Sequence, residues 1–345
     1  MKISFSRGPP GDLEVGRVAS EIKARGASRV LVQLPDGLRP YALSLVQSLE
    51  EATGAQVFLS GDSCYGSCDL AVNQAEGLGV DLLVHYGHTP ILPDPGVPVL
   101  YVPVGFDADL EALLPQALDL LEGVNAVGLA TTAQHLHQLE ELERAMVERG
   151  FKPRVGQGGG WVQRGQVLGC NYLTCLQVME EVEAFLYLGG GGFHPMGIVM
   201  ATGKPTVTAN PYTLEASYLD QGALRALARR RFAAIHAAGG AQRFGVVASS
   251  KPGQRRLGEA QRLVRLLRDH GRESALIYLD ELRAEHLANF SEFQVFVVTA
   301  CPRVAVDGLP GESRPLLTVG ELMVALGLRR WEELWASDYF GNREV

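Results

Sequence analysis

Arg29-Val30-Leu31-Val32-Gln33-Leu34, then Ala42, Leu45, Val46 and Leu49 at helical spacing within Tyr41–Ala52, then Gln56-Val57-Phe58-Leu59-Ser60: this stretch decides the fold. A short apolar run rich in β-branched residues, an amphipathic helix and a second apolar run make one β-α-β unit. Working outward, further strands are predicted at Leu82–Tyr86 and Val99–Val104. The theme then repeats, with strands at Ala126–Ala130, Pro153–Gly156, Phe185–Gly189 and Thr206–Ala209 and a long helix from about Gln134 to Arg149. A last set has strands at Phe244–Ser249, Ala275–Leu279 and Val295–Thr299, with a helix at about Arg256–His270. Strands alternating with helices of this length form parallel sheets covered on both faces. The sequence therefore predicts an α/β protein of three small, Rossmann-like, doubly wound parallel-sheet domains in series, over residues 1–106, 107–212 and 213–345.

The 345 residues are 46% hydrophobic and 20% charged, an ordinary globular composition. A formal net charge of −8 argues against nucleic acid or an anionic membrane as the main partner. Arg225, Arg229, Arg230 and Arg231, with Lys251, Arg255 and Arg256, are the local exception. They read as a solvated helix face or a docking place for an acidic partner. Met1 to Pro10 lack the apolar stretch of a signal peptide, and the apolar run Ala184–Gly203 is interrupted by Gly189–Gly192, His194 and Pro195. The expectation is a cytoplasmic protein with no membrane segment.

Five cysteines in a chain of this size are metal ligands, catalytic thiols or core residues rather than disulfide staples. Parallel α/β sheets bind ligands beyond the carboxyl ends of their strands. Cys68 follows the second predicted strand of the first third, Cys170 the second of the second third, and Cys301 the third of the last third. Each domain thus offers one cysteine at its ligand-binding edge. Three thiolates from separate domains can hold three irons of a 4Fe-4S cluster and leave the fourth open to substrate. Structural zinc, the competing metal, favours paired cysteines and a fourth protein ligand. Cys64 and Cys68 could begin such a site, but no second cysteine pair matches them, so Cys64 and Cys175 read as spectators.

Three other polar runs lie at the same edges. Thr131 to Leu139 concentrates Thr, Gln and His at a helix start that can meet a carboxylate. Gly189 to Gly192, before Phe193-His194-Pro195, suggests close backbone approach to a ligand without the GxGxxG spacing of a dinucleotide site. Lys251-Pro252-Gly253-Gln254 follows the first strand of the last third. Walker A, GxSxG and HExxH sequences are absent.

Taken together, Tyr65-Gly66-Ser67-Cys68-Asp69, Thr131 to Leu139, Gly165 to Asn171, Phe193-His194-Pro195 and Ala300-Cys301-Pro302-Arg303-Val304 resemble the archaeal diphthamide synthase family, in order and over nearly the whole chain. The resemblance implies three Rossmann-like domains around a central 4Fe-4S cluster held by Cys68, Cys170 and Cys301. It implies S-adenosylmethionine at the open iron; the loops carrying Gln134, His135, His194 and Gln254, uncharged or weakly basic groups at the same sheet edges as the cysteines, are where the sequence places that cofactor. It further implies reductive cleavage to a 3-amino-3-carboxypropyl radical and methylthioadenosine, with addition to C2 of a histidine imidazole on translation elongation factor 2. The family's archaeal members are homodimers, and the reaction needs an external electron donor. Quinolinate synthase shares the architecture of three α/β domains and a three-cysteine cluster, but its motif words fit poorly. A non-catalytic electron-relay subunit would lack a ligand cysteine. The chain departs from the family at Asn210, where an acidic residue is usual, and in its shorter tail ending Phe340 to Val345.

Overall fold

The structure, a computed structural model, describes residues 11–336; Met1–Pro10 and the tail from 337 onward lie outside the described residues. Three sheets follow one another along the chain. The first is β1 (Arg29–Gln33), β2 (Gln56–Leu59), β3 (Leu82–Tyr86) and β4 (Val99–Val102), parallel throughout in the order β2-β1-β3-β4. The second is β5 (Ala126–Thr131), β6 (Lys152–Arg154), β7 (Ala184–Leu188), β8 (Thr206–Asn210) and β9 (Glu215–Leu219), in the order β6-β5-β7-β8-β9. The third is β10 (Arg243–Ser249), β11 (Glu273–Leu279), β12 (Val295–Val298) and β13 (Leu316–Leu317), in the order β11-β10-β12-β13. The protein is thus three parallel-sheet α/β units of one topology.

Central strands are apolar on both faces because helices cover both. Every residue of β3 and of β7 is buried, as a doubly covered sheet requires. Register is direct: Val30 pairs with Val57 on one side and Leu82 on the other. In each unit the first and third strands are neighbours, so the chain runs outward in opposite directions from the crevice between them. That reversal is where doubly wound sheets open a ligand site. It lies between β1 and β3, β5 and β7, and β10 and β12.

The second sheet runs past the expected boundary at 212, because β9 adds to it antiparallel, Asn210 opposite Glu215 and Thr206 opposite Leu219. Its sequence is polar and largely exposed, without the apolar run of a central strand. The helix Leu110–Asp119 buries Leu110, Leu113 and Leu114 in the second core. The helix Gln221–Gly239 places Leu224 and Leu227 in the second unit's packing and Ile235 and Ala238 in the third's. The long helix expected at 134–149 is a 3-10 turn over Ala133–Gln138 continued as an α-helix over Leu139–Glu148. The run Ala184–Gly203 splits into β7 and the helix Phe193–Thr202. Among the described residues no helix is long and apolar enough to cross a membrane.

Part of the basic group is not a solvated face. Arg231 is 4% exposed, with Nε and Nη2 on the two oxygens of Glu321 at 2.7 and 2.6 Å, and further bonds to the carbonyls of Ala305 and Leu316. Arg230 donates to the carbonyl of Val306. These two arginines tie the helix to the third unit.

Candidate functional site

The loops beyond the strand ends carry the polar chemistry. Cys68 follows β2, His85 and His88 close β3, His135 follows β5, Cys170 follows β6, His194 follows β7, Gln254 follows β10 and Cys301 follows β12. At these loops the units meet in three pairings. First and third join where the Gly253 N–H donates to the Cys68 carbonyl at 2.9 Å and Gln254 Nε2 to Cys68 Sγ at 3.4 Å. First and second join where Gln166 Nε2 donates to Thr89 Oγ1 at 2.7 Å. Second and third join where Arg303 lies 3.9 Å over the Phe193 ring and donates to the Phe193 carbonyl at 3.1 Å.

Cys68, Cys170 and Cys301 come together at this junction, all three half-buried. Burial pushes the Cys68 thiol up to about 12, the Gln254 hydrogen bond pulls it back, and the nearby Cys301 and Cys170 raise it further. Burial pushes Cys170 up to about 11, with Cys301 adding to the rise and Arg256 and Arg303 opposing it. Burial also raises Cys301, while the backbone N–H groups of Arg303 and Val304, at the start of the helix Pro302–Asp307, favour its thiolate. Thiols that raise one another in a dry pocket stay protonated until a cation neutralises them. Cys175 lies in the second unit's core, 1% exposed, and burial raises it to about 12.

Small residues let these loops approach. A Cβ at Gly253 would stand 2.5 Å from Cys68 Cα, and one at Gly169 would stand 2.2 Å from the Phe193 ring. At Gly253 a side chain would meet fixed backbone, and at Gly169 it would have to displace the Phe193 ring from its place under Arg303. Behind the Cys68 loop, Lys251 Nζ meets Asp69 Oδ2 at 2.6 Å, both buried, and lies 5.0 Å over the Tyr65 ring. Burial pushes Asp69 up to about 6, against the pull of the Lys251 hydrogen bond and charge and the Tyr65 N–H. Tyr65 and Ser63 donate to Glu281 at 2.9 and 3.1 Å, adding a second tie to the third unit.

The four residues expected around a cofactor are placed differently from one another. Gln254 touches Cys68. His194 is within charge reach of His88 and Arg303, with Nδ1 3.2 Å from the Tyr187 hydroxyl, and burial lowers it to about 4. Gln134 donates to the Gly87 carbonyl at 2.6 Å, next to His88. His135 is 0% exposed with both ring nitrogens engaged: Nδ1 donates to the Phe106 carbonyl at 3.0 Å and Nε2 faces the Tyr212 hydroxyl at 3.4 Å. Burial lowers it to about 4, so the neutral ring packs against Phe106 and Tyr212 as a seam residue. Asn210 caps a turn there, accepting the Tyr212 N–H at 3.0 Å.

Sequence reasoning passed over Gln166, Thr89 and the pair His85 and His88. Gln166 is fully buried at the unit junction. The signal for the histidines is present, an H-x-x-H at the end of a buried strand with glycine between.

Three like α/β units, joined pairwise at the loops that bear one thiol each, define a three-unit α/β protein with a shared thiol centre. Its family is shown by comparison: the chain belongs to the family described as putative diphthamide synthesis protein, whose model matches residues 34–336. It is 38% identical over 320 residues to the 2-(3-amino-3-carboxypropyl)histidine synthase of Pyrococcus horikoshii, covering 92% of this chain and 91% of that protein. It is 31% identical over 341 residues to subunit 1 of the 2-(3-amino-3-carboxypropyl)histidine synthase of Mus musculus, covering 97% of this chain and 76% of that protein. The crystal structure of Dph2 from Pyrococcus horikoshii superposes with a TM-score of 0.83 at 39% identity over 92% of both chains, and so does that of Dph2 with a 4Fe-4S cluster.

Proposed function

We propose that this chain is a 2-(3-amino-3-carboxypropyl)histidine synthase, performing the first step of diphthamide biosynthesis on translation elongation factor 2. The observation that carries the reading is the meeting of Cys68, Cys170 and Cys301, one from each unit, where all three pairs of units touch. Three soft thiolates and no fourth suit a 4Fe-4S cluster with one iron open. When bound, the cluster supplies the electron that cleaves the Cγ–S bond of S-adenosylmethionine, giving a 3-amino-3-carboxypropyl radical and methylthioadenosine. The acceptor is C2 of a histidine imidazole of elongation factor 2.

The chain's own residues prepare that chemistry. Arg303, buried and paired with Asp307 at 3.0 Å, places a fixed cation beside Cys170 and Cys301 and offsets their negative charge. Gln254 donates to Cys68 Sγ and narrows its freedom. His194, kept neutral by burial, and Gln134 border the same junction and are assigned to S-adenosylmethionine together with Gln254. His135 acts in that pocket by positioning Phe106 and Tyr212. We place the protein in the cytoplasm, as a homodimer served by an external electron donor.

Anaerobically reconstituted protein, reduced with dithionite and given S-adenosylmethionine and elongation factor 2, should release methylthioadenosine and leave the factor with a modified histidine. Release of 5′-deoxyadenosine as the main product would place it in a different radical class. Intact S-adenosylmethionine, with condensation of dihydroxyacetone phosphate and iminoaspartate, would instead make it a quinolinate synthase.

A further inference from the structure

We infer that Cys64, His85 and His88 form a second metal site, mononuclear and suited to a zinc-class divalent cation, inside the first unit and separate from the three thiols assigned to the cluster. One ligand atom of each residue lies within 4.8 Å of the other two. Cys64 is 6% exposed and His85 0% exposed, while His88 is half-buried and forms the side of the group nearest solvent.

The tautomer of His85 follows from its neighbours. Gln33 Nε2 donates to the Asp69 carbonyl at 2.7 Å, and Gln33 Oε1 accepts the Ala71 N–H at 3.1 Å, which fixes the amide orientation. Oε1 then faces His85 Nδ1 at 2.8 Å, so Nδ1 carries the proton and Nε2 presents a lone pair. That nitrogen accepts a hydrogen bond from His88 Nδ1–H at 3.0 Å, so an ion held between the two takes the place of the shared proton and His88 carries its own on Nε2. An imidazole that donates from one nitrogen to a fixed acceptor and offers the other is the form that binds metal, and the acceptor behind it sets the ring's orientation. Two nitrogens on tetrahedral zinc at about 2.0–2.1 Å stand roughly 3.3 Å apart. The histidine pair therefore needs to open by about 0.3 Å to admit the ion, while the Cys64 sulfur, within 4.8 Å of both, has to settle at the roughly 3.5 Å from each nitrogen that a shared tetrahedral ion sets.

The backbone builds the pair deliberately. Between the two histidines Gly87 takes φ +85, which folds His88 back toward the end of β3. A Cβ at Gly87 would also stand 2.9 Å from Pro35 Cγ, so the turn admits glycine alone. Two nitrogens and one thiolate suit zinc rather than a hard ion, and three protein ligands leave a fourth position for water or a substrate atom.

The test uses cluster-loaded protein prepared without oxygen, equilibrated in buffered free zinc. Iron and zinc are counted by mass spectrometry, and the zinc environment is read by X-ray absorption. The expected result is about one zinc per chain beyond the iron, with one sulfur and two nitrogen neighbours. Cys64→Ser and His88→Gln should weaken zinc by at least about tenfold, and Gln33→Leu by about 10–100-fold through loss of the supporting acceptor. Cys64→Ser and His88→Gln should keep their iron, and Cys175→Ser should keep its zinc; Gln33→Leu, which also frees the Asp69 carbonyl behind Cys68, is read by its zinc alone. Unaltered protein that retains no zinc at micromolar free ion, or binds it through three sulfurs, overturns the site. The unaltered protein's spectrum decides the matter even where a variant fails to fold.

Discussion

Two sulfur-bearing corners of the molecule sit four residues apart, at Cys64 and Cys68, yet they are built on different principles. Cys68 is held from outside its own unit: its carbonyl accepts from Gly253, its sulfur from Gln254, and its charge partners are Cys170 and Cys301. Cys64 is held from within, beside His85 and His88 on β3 and the turn after it, with Gln33 of β1 behind them. A site between units exists only when three folded bodies have docked. A site inside one unit needs only that unit's sheet. The first corner should thus respond most to a change that shifts one unit against another; the second, whose turn at Gly87 and Thr89 is also held by Gln134 and Gln166 of the second unit, should respond less.

Replacing the thiols breaks the comparison most directly. Cys68→Ala, Cys170→Ala or Cys301→Ala should each remove or degrade the cluster, measured as iron and sulfide content and as dithionite-bleachable absorbance. Cys64→Ala and Cys175→Ala should keep the iron, because neither thiol belongs to the junction. If Cys64→Ala emptied the protein of iron as fully as Cys68→Ala, the two corners would be one site.

The sequence made one corner legible and hid the other. β-branched runs alternating with amphipathic helices announce the parallel strands, and one cysteine assigned to the ligand-binding edge of each unit announces the shared thiols. β9 and β13 escaped because an exposed polar edge strand and a two-residue strand carry no apolar run. The three pairings of units escaped because Gln166, Lys251 and Arg303 are polar residues buried by partners far away in the chain. His85 falls inside a predicted strand, His88 lies in no predicted element, and Cys64 reads as a spectator for want of a second cysteine pair. The pair it faces is made of imidazoles, brought round by the positive φ of Gly87. Register on the sheet, which the sequence does not state, puts Gln33 opposite His85.

The Lys251–Asp69 pair sharpens the contrast at the next level of effect. Lys251→Met removes the cation and leaves a buried carboxylate, a change that costs about 3–5 kcal/mol of stability at neutral pH. The cost has a sign with pH. Burial already raises the Asp69 pKa to about 6, above the 3.8 of an unfolded chain, and loss of Lys251 raises it further. A group raised in this way stabilises the fold when protonated, fully below its unfolded value, and that stability is lost as pH rises through the folded value. Urea unfolding of the variant should therefore show its largest deficit near pH 8 and a smaller one near pH 5.5. A deficit that grew on acidification would mean that Asp69 is not the group left exposed to the low dielectric. The variant should also lose iron more readily than it loses any zinc at Cys64, because Lys251 belongs to the third unit and braces the Cys68 loop across the boundary.

Gln254 offers the smallest and most discriminating change. On sequence grounds it belonged with the cofactor contacts, so that its loss would weaken S-adenosylmethionine and leave the cluster spectrum alone. The structure puts its Nε2 on Cys68 Sγ at 3.4 Å, which adds a second role. A hydrogen bond to a cluster sulfur favours the reduced, more negative state, and removing it lowers the reduction potential. A neutral hydrogen bond of about 0.5–1.5 kcal/mol converts, for one electron, to roughly 20–60 mV. Gln254→Leu should thus keep its iron and move the cluster's midpoint downward by that amount, read by redox titration under argon. Glu at this position should not rescue it, since a carboxylate has no proton to give the sulfur, whereas Asn should rescue in part if its shorter side chain reaches. An unmoved potential with weakened S-adenosylmethionine would assign Gln254 to the cofactor alone. An unmoved zinc affinity is expected in the Gln254 variants, because the bond they sever ends on Cys68 and not on Cys64, His85 or His88.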